Sequence, residues 1–476
     1  MSAGTLGVLG LGLYLVVLGG LAAVAHRARR DLSPADHFLA GRQLGVFVLF
    51  LTLYATAFSG NSLVGYPAEA YRRGYAWIMA TAFMLAIAVV SQMLVPRLRP
   101  LAVTHAFVTP GDWIRHRFRG ERGCVAATVV VGVVMTVALA NFLLAQLVAM
   151  GHVASQVSGG LLPYWAGVVG LAAVVLGYET LGGMRAVAWT DVLQGLLMFV
   201  GLGAMLWWVL GEAGGLAAVT RAVAATRPSA VMVPDRQACL NWASTIVLVG
   251  VGASVYPQAI QRVYAARSGQ TLGRALALLT FMPLVTIVVV TLVGVSAIPR
   301  FAHLGAIEAD AVLPRLLAAW AASGPFGAVS AMLVFVAALA AIMSTADSVL
   351  LSLGSVVAGD VLGRSGDDPR TTRLGKQIAA TILVGMTSLA LVPRLTLWRL
   401  TELKMELLVQ CAPVFLLGLH VSRLRALPVL IGVVVGTLIA SAGVLTGVAR
   451  IQGIHVGVLG LVANVAIAVV GSGRRS

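Results

Sequence analysis

The sequence predicts an all-α membrane protein with about thirteen transmembrane helices. Three observations lead there. Of its 476 residues, 59% are hydrophobic and only 11% are charged, against roughly 45–50% and about 25% in soluble globular chains. A soluble fold of this length has no interior large enough for so much apolar surface, so lipid must be part of its solvent. The apolar residues also fall in runs near the ~20 residues that a helix needs to cross a bilayer. Finally, the basic residues sit in the short gaps between those runs, where they set membrane topology.

The candidate spans lie at 4–25, 45–65, 76–96, 124–150, 161–178, 187–210, 239–256, 272–297, 326–353, 376–393, 403–420, 426–446 and 454–471. The first has no basic stretch before it and no small-residue cleavage site after it, so it is expected to stay in the protein as a helix. The second is irregular. It reads Leu53-Tyr54-Ala55-Thr56-Ala57-Phe58-Ser59-Gly60-Asn61-Ser62, with Pro67 beyond. Small and hydroxyl residues at mid-span can unwind where they line a cavity or pack in protein, and freed carbonyls then suit a small hard cation. The alternative is a close-packed small-residue helix interface.

Between the fifth and sixth spans, Gly182 and Gly183 permit a tight turn. Thr190 and Asp191 then open a long apolar helix. Asp191 is either a cap at the positive helix end or a second cation or proton site. The seventh span runs into Tyr256-Pro257-Gln258-Ala259-Ile260-Gln261-Arg262, where proline breaks or kinks the helix. In the ninth, Ser344 and Ser348 share a face, with Asp347 beside them. Adjacent hydroxyls and a carbonyl fit an oxygen shell for sodium; the alternative is that they bond their own backbone. Asp347 is an ionisable group in an apolar span and hence a functional candidate, at a depth that extends toward the cytoplasmic end. The eleventh opens with Glu402, Lys404 and Glu406. They form an interfacial charge cluster or, if deeper, Lys404 faces an anionic substrate.

Orientation comes from the basic residues. With the N-terminus outside, 22 of the 33 Lys and Arg residues fall inside, among them Arg27, Arg29, Arg30, Arg42, Arg185, Arg262, Arg474 and Arg475. The formal charge of +16 is therefore a topology signal, and no nucleic-acid partner is expected. Cys124, Cys239 and Cys411 are far apart and show no metal-type spacing or disulfide framework. There is no Walker A stretch, no G-x-S-x-G elbow and no H-E-x-x-H, so neither direct ATP use nor an enzyme is expected. No gap holds a soluble domain, and no obligatory protein partner is inferred.

Four features resemble the sodium:solute symporter family, whose members include proline, sugar, pantothenate, acetate and other monocarboxylate transporters. They are Phe38-Leu39-Ala40-Gly41-Arg42, the Gly-Gly-x-x-Ala-Val-x-x-Thr-Asp-x-x-Gln run at 182–194, the stretch from Ala341 to Thr345, and the thirteen-helix layout with the N-terminus outside. The resemblance spans essentially the whole chain. It implies a five-plus-five inverted-repeat, leucine-transporter-like core with repeats at 45–210 and 239–420. An extra helix and loop precede it (1–44), and two extra helices come after it (421–476). It implies a co-transported sodium ion, held by the backbone carbonyls of Ala55, Phe58 and Ala341 and the hydroxyls of Ser344 and Thr345. Substrate would lie against Thr56, Ser59, Gly60, Asn61, Val249, Ala253 and Ser254, with Asp191 and Asp347 for coupling or a second cation.

Proline transporters of the family look to carry an acidic residue where Ala57 stands and aromatic residues where Val249 and Ala253 stand. The run at 256–266 and Leu403-Lys404-Met405-Glu406 look more like the monocarboxylate-transporting branch. The expected function is sodium-coupled import of a small organic solute by alternating access, leaning to a monocarboxylate. The expected location is the bacterial inner membrane, N-terminus outside and C-terminus cytoplasmic. Three alternatives stay open: proton coupling through Asp191 and Asp347, a proline-like amino-acid substrate, and a transporter-like membrane sensor acting with a partner.

Overall fold

The computed structural model describes residues 3–28, 33–364, 369–392 and 396–473. Arg29, Arg30, Arg474 and Arg475, counted above for topology, lie outside the described residues. The first half of the chain is built from α1 (Ala3–Arg27), α2 (Pro34–Leu39), α3 (Val46–Ala57), α4 (Tyr66–Arg73), α5 (Ala80–Thr104), α6 (Pro110–Arg117), α7 (Cys124–Val157), α8 (Tyr164–Ala213) and α9 (Leu216–Thr226). The second half contains α10 (Arg236–Ser254), α11 (Pro257–Ala265), α12 (Gly269–Ser296), α13 (Val312–Ala321), α14 (Pro325–Val356), α15 (Pro369–Ala390), α16 (Leu397–Leu408), α17 (Ala412–His420), α18 (Ala426–Leu445) and α19 (Val456–Gly473). A two-residue antiparallel pairing, β1 (Arg450–Ile451) with β2 (Ile454–His455), turns through Gln452 and Gly453 between the last two helices.

Among the described residues, ten helices are long and apolar enough to cross a membrane. The protein is an integral membrane protein. Three of the thirteen expected spans are not separate crossings by this measure. The helix at 45–65 is interrupted, which leaves α3 with 12 residues, or about 18 Å of rise. The helices at 161–178 and 187–210 run together as α8, 50 residues long. The tenth, expected at 376–393, is found at Pro369–Ala390 and is not among the ten.

Both irregular segments have physical causes. α8 would extend about 75 Å if straight, more than twice the ~30 Å hydrocarbon core. It breaks at Gly183, with φ 57° and ψ −153°. A Cβ there would sit 2.4 Å from His37 Nδ1 and 2.5 Å from the His37 carbonyl oxygen, so both conformation and packing demand glycine. Helical turns resume at once, and Asp191 therefore lies two turns inside the second half of α8. This corrects its reading as an N-terminal cap, because only the first-turn amides lack intrahelical acceptors. In the other segment, α3 ends as Phe58 takes φ −104° and ψ 76°. The chain re-enters helix through a wide turn over Asn61–Gly65 that leads into α4.

α14 lies at the centre of the bundle. Every residue from Ala337 to Val356 is buried, as expected for a helix apolar on all sides. It packs on α8, α7 and α1. The polar side chains that α14 carries are therefore held in the protein interior and not at a headgroup surface.

Candidate functional site

Asp191 is the hub of a buried polar cluster. Thr52 of α3 donates its hydroxyl proton to Asp191 Oδ2, and Ser344 of α14 donates to Oδ1. Arg262 of α11 donates to Oδ2 at 3.0 Å. The same guanidinium donates to Thr52 Oγ1 at 2.8 Å, to Ser348 Oγ at 2.7 Å and to the Gln258 carbonyl at 3.2 Å. Neither side chain of the Asp191–Arg262 pair has any exposure. Burying two charges is costly unless they are paired and well hydrogen-bonded, and here the charges are paired and four of the five guanidinium N–H groups are donated. Four helices (α3, α8, α11 and α14) thus converge on one carboxylate.

The sequence places Arg262 among the inside-loop cations, and the structure corrects this. Pro257 opens α11 at its first turn, a position proline favours, and the helix it starts turns Arg262 into the protein. Asp347, a functional candidate whose depth the sequence leaves open, is fully buried. It accepts the Tyr178 hydroxyl at 2.7 Å. Ser348 donates to the Ser344 carbonyl at 2.7 Å, while also lying 3.3 Å from Asp347 Oδ1.

The residues proposed for sodium come from two elements in contact. Ala55 and Phe58 close α3, and Ala341, Ser344 and Thr345 stand on α14; all five are buried. The closeness is set at Gly60, where a Cβ would lie 2.3 Å from Ile342 Cγ1 and 2.9 Å from Gln146 Oε1. Carbonyls at a helix C-terminus lack intrahelical donors. Thr345 donates its hydroxyl to the Ala341 carbonyl at 3.2 Å, and Ser344 donates to Asp191. A hydroxyl that has given its proton away keeps its lone pairs for a cation. A direct consequence concerns Gly60→Ala, which forces a methyl group into Ile342. The expected cost is about 1–3 kcal/mol, read as a lower unfolding temperature. In an Ile342→Ala background the same Gly60→Ala change should cost markedly less than in the wild type; an equal cost in both backgrounds would show that the contact is not the cause.

Five of the expected substrate residues, Thr56, Ser59, Val249, Ala253 and Ser254, line one cavity of about 90 Å³. Gly60 does not line it, because it faces α14 and α7 instead. The Asn61 side chain lies outside the described residues. Phe142, Tyr66 and Tyr256 also border the cavity, and no pattern in the sequence singles out Phe142 or Tyr66. So does Lys404 of α16, whose Nζ stands 3.1 Å from the ring centroid of Phe142 and 5.0 Å from that of Tyr256. It is the one charged residue on the described wall. Its neighbours turn elsewhere. Glu402 accepts from Trp398 Nε1 at 2.9 Å and from Arg450 at 2.5 Å. Glu406 lies 3.4 Å from His455 Nδ1. The charge cluster expected at the start of this helix therefore divides, with its cation in the cavity and its two acids on the far side.

The sequence profile of the sodium:solute symporter family matches residues 37–436. The sodium/pantothenate symporter of Escherichia coli (strain K12) is 26% identical over 406 residues, covering 81% of this chain and 79% of that protein. The osmoregulated proline transporter OpuE of Bacillus subtilis (strain 168) is 25% identical over 458 residues, covering 94% and 90%. Among solved structures, the substrate-bound outward-open state of a Na⁺-coupled sialic acid symporter aligns with a TM-score of 0.79 at 17% identity, covering 98% of this chain and 97% of that one. A nucleobase-cation-symport-1 family transporter, closed with bromovinylhydantoin bound, aligns with a TM-score of 0.60 at 15% identity, covering 93% and 94%. These two likenesses concern the fold. The chain belongs to the sodium:solute symporter family: it is a transporter and not an enzyme, and sodium is its co-transported ion.

Proposed function

We propose that this protein imports a small organic anion, a short monocarboxylate, together with sodium by alternating access. The observation that carries the reading is the position of the α3 break. The segment that ends in Phe58 abuts α14 at Gly60 and Ile342, and it also supplies Thr56 and Ser59 to the cavity wall. An ion held between Ala55, Phe58, Ala341, Ser344 and Thr345 would then order the same backbone that the solute touches. Coupling needs each ligand to bind one state better than the other, and one shared segment is the shortest physical link between two sites.

In this reading the helices form thirteen crossings, with α8 counted as two around Gly183 and the broken α3–α4 segment and α15 each counted as one. The core is a five-plus-five inverted repeat over 45–210 and 239–420. The protein sits in a bacterial inner membrane, N-terminus outside and C-terminus inside. Asp191 and Asp347 serve the coupling: Asp191 joins α3 to α14 through two hydroxyls, so any shift of one helix is felt by the other. The membrane potential acts only on net charge: one sodium with a monoanion is electroneutral, and each sodium beyond the first gains about 2.3 kcal/mol per 100 mV, worth roughly 50-fold accumulation.

The test is uptake of labelled propionate into proteoliposomes under a sodium gradient, a proton gradient or neither. Protein-free liposomes give the baseline, because propionic acid itself crosses lipid, and accumulation above that baseline is expected with the sodium gradient alone. Accumulation above it driven by the proton gradient without sodium would refute sodium coupling. Uptake of proline in place of propionate would refute the monocarboxylate.

A further inference from the structure

We propose that Lys404 and Tyr256 form a carboxylate clamp that makes the cavity selective for monoanions. This deepens the reading above and rests on it. A lone ammonium in an apolar interior is costly. Lys404 is 2% exposed, and among the described residues it has neither a hydrogen bond nor an ion pair. The faces of Phe142 and Tyr256 are its close partners, and ring faces offset only part of what water gave. The group is short of one negative charge, and it borders the cavity where a solute would supply it.

The hydroxyls around it sharpen the selection. Thr56, Ser91 and Ser254 each donate to a backbone carbonyl of their own helix at 2.7 Å, and Thr401 does so at 3.1 Å. Their protons are committed, and what they offer a solute is lone pairs. Tyr256 is different. Its hydroxyl points at Met405 Sδ at 3.5 Å, and a thioether is a weak acceptor. Lys404 and Tyr256 are therefore two donors close together, which suits the two oxygens of one carboxylate.

The rest of the wall limits the group that the carboxylate can carry. No described acidic residue lines the cavity, so the ammonium of a zwitterionic amino acid would meet hydroxyl lone pairs but no counter-charge. Neutral amides and alcohols would leave Lys404 without its counter-charge. The rest of the wall is largely apolar, with Leu53, Ile87, Leu94 and Val95 on it, which suits a carboxylate on a hydrocarbon chain.

The test compares propionate with its near-isostere propionamide on the purified full-length protein, by thermal stabilisation in sodium chloride and in choline chloride. Ligand that binds the native state raises its stability in step with ligand over Kd. Propionate in sodium is expected to stabilise the wild type and propionamide is not. Lys404→Gln should weaken propionate roughly 10- to 100-fold, as for loss of a charge-assisted bond, and keep the stabilisation by sodium alone. Tyr256→Phe should weaken it by a smaller factor.

Equal affinity for propionate in Lys404→Gln and wild type would overturn the clamp, as would propionamide binding as well as propionate. Should Lys404→Gln lose its response to sodium as well, Tyr256→Phe decides: unchanged propionate affinity there overturns the clamp, and weakened affinity supports it. Stabilisation of the wild type by propionate equally in both salts would sink sodium coupling and still support the clamp. The two readings can thus fail separately.

Discussion

Arg262→Ala is expected to lower the stability of the folded protein by about 3–5 kcal/mol, as for other buried charges stripped of a partner, and to abolish sodium-driven uptake. The guanidinium makes four hydrogen bonds, to Thr52, Asp191, Ser348 and the Gln258 carbonyl. Its removal leaves the Asp191 carboxyl in a dry interior with two hydroxyl donors and no counter-charge. The damage should be repairable in part. Asp191→Asn combined with Arg262→Gln replaces the ion pair by neutral amides, so the double variant should be more stable than Arg262→Ala. Transport should not return, because the carboxylate joining α3 to α14 is gone. A cycle of the two single changes should show a coupling energy above ~1 kcal/mol, since contacting groups in one network are not additive. Thermal unfolding measures the wild type, Arg262→Ala and the three variants of the cycle, Asp191→Asn, Arg262→Gln and their combination. An Arg262→Ala variant as stable as the wild type would mean that Asp191 is not held by this pair.

Ser344→Ala with Thr345→Ala is expected to raise the sodium concentration for half-maximal uptake on the order of 100-fold, taking ~1–1.5 kcal/mol for each oxygen removed. The protein should still insert and fold. The two single changes are not equivalent. Ser344 also donates to Asp191, so its loss disturbs both the proposed ion ligand and the ion pair. Thr345 donates to the Ala341 carbonyl of its own helix and touches no charged group by that bond. Thr345→Ala is therefore the cleaner measure of ligation, and Thr345→Ser should restore the wild-type value. An unchanged sodium requirement in the double variant would remove both residues from the site.

Much of this protein can be read one residue at a time. Run length and composition are local properties, and in lipid a backbone has no water to bond, so an apolar run of the right length becomes a helix whatever lies around it. That makes the fold class, most helix positions and the break near Gly60 legible. It also brings Thr56, Ser59, Val249, Ala253 and Ser254 to attention without sight of the cavity that gathers them. Gly183 is readable as a break and not as a contact: His37, which excludes any side chain there, is distant in sequence.

The charges are not readable in this way. Arg262 looks like any basic residue after a helix-ending proline, and Asp191 looks like a cap. Their partnership crosses 71 residues, and the bond from Arg262 to Thr52 crosses 210. Lys404 sits between two glutamates in a row that reads as interface. Which of the three faces a cavity depends on the rotation of α16 against α7 and α10. Whether a helix forms is settled by its own residues; which charges end up dry, and beside what, is settled by how helices far apart in the chain pack together, because burial and pairing are properties of the whole bundle.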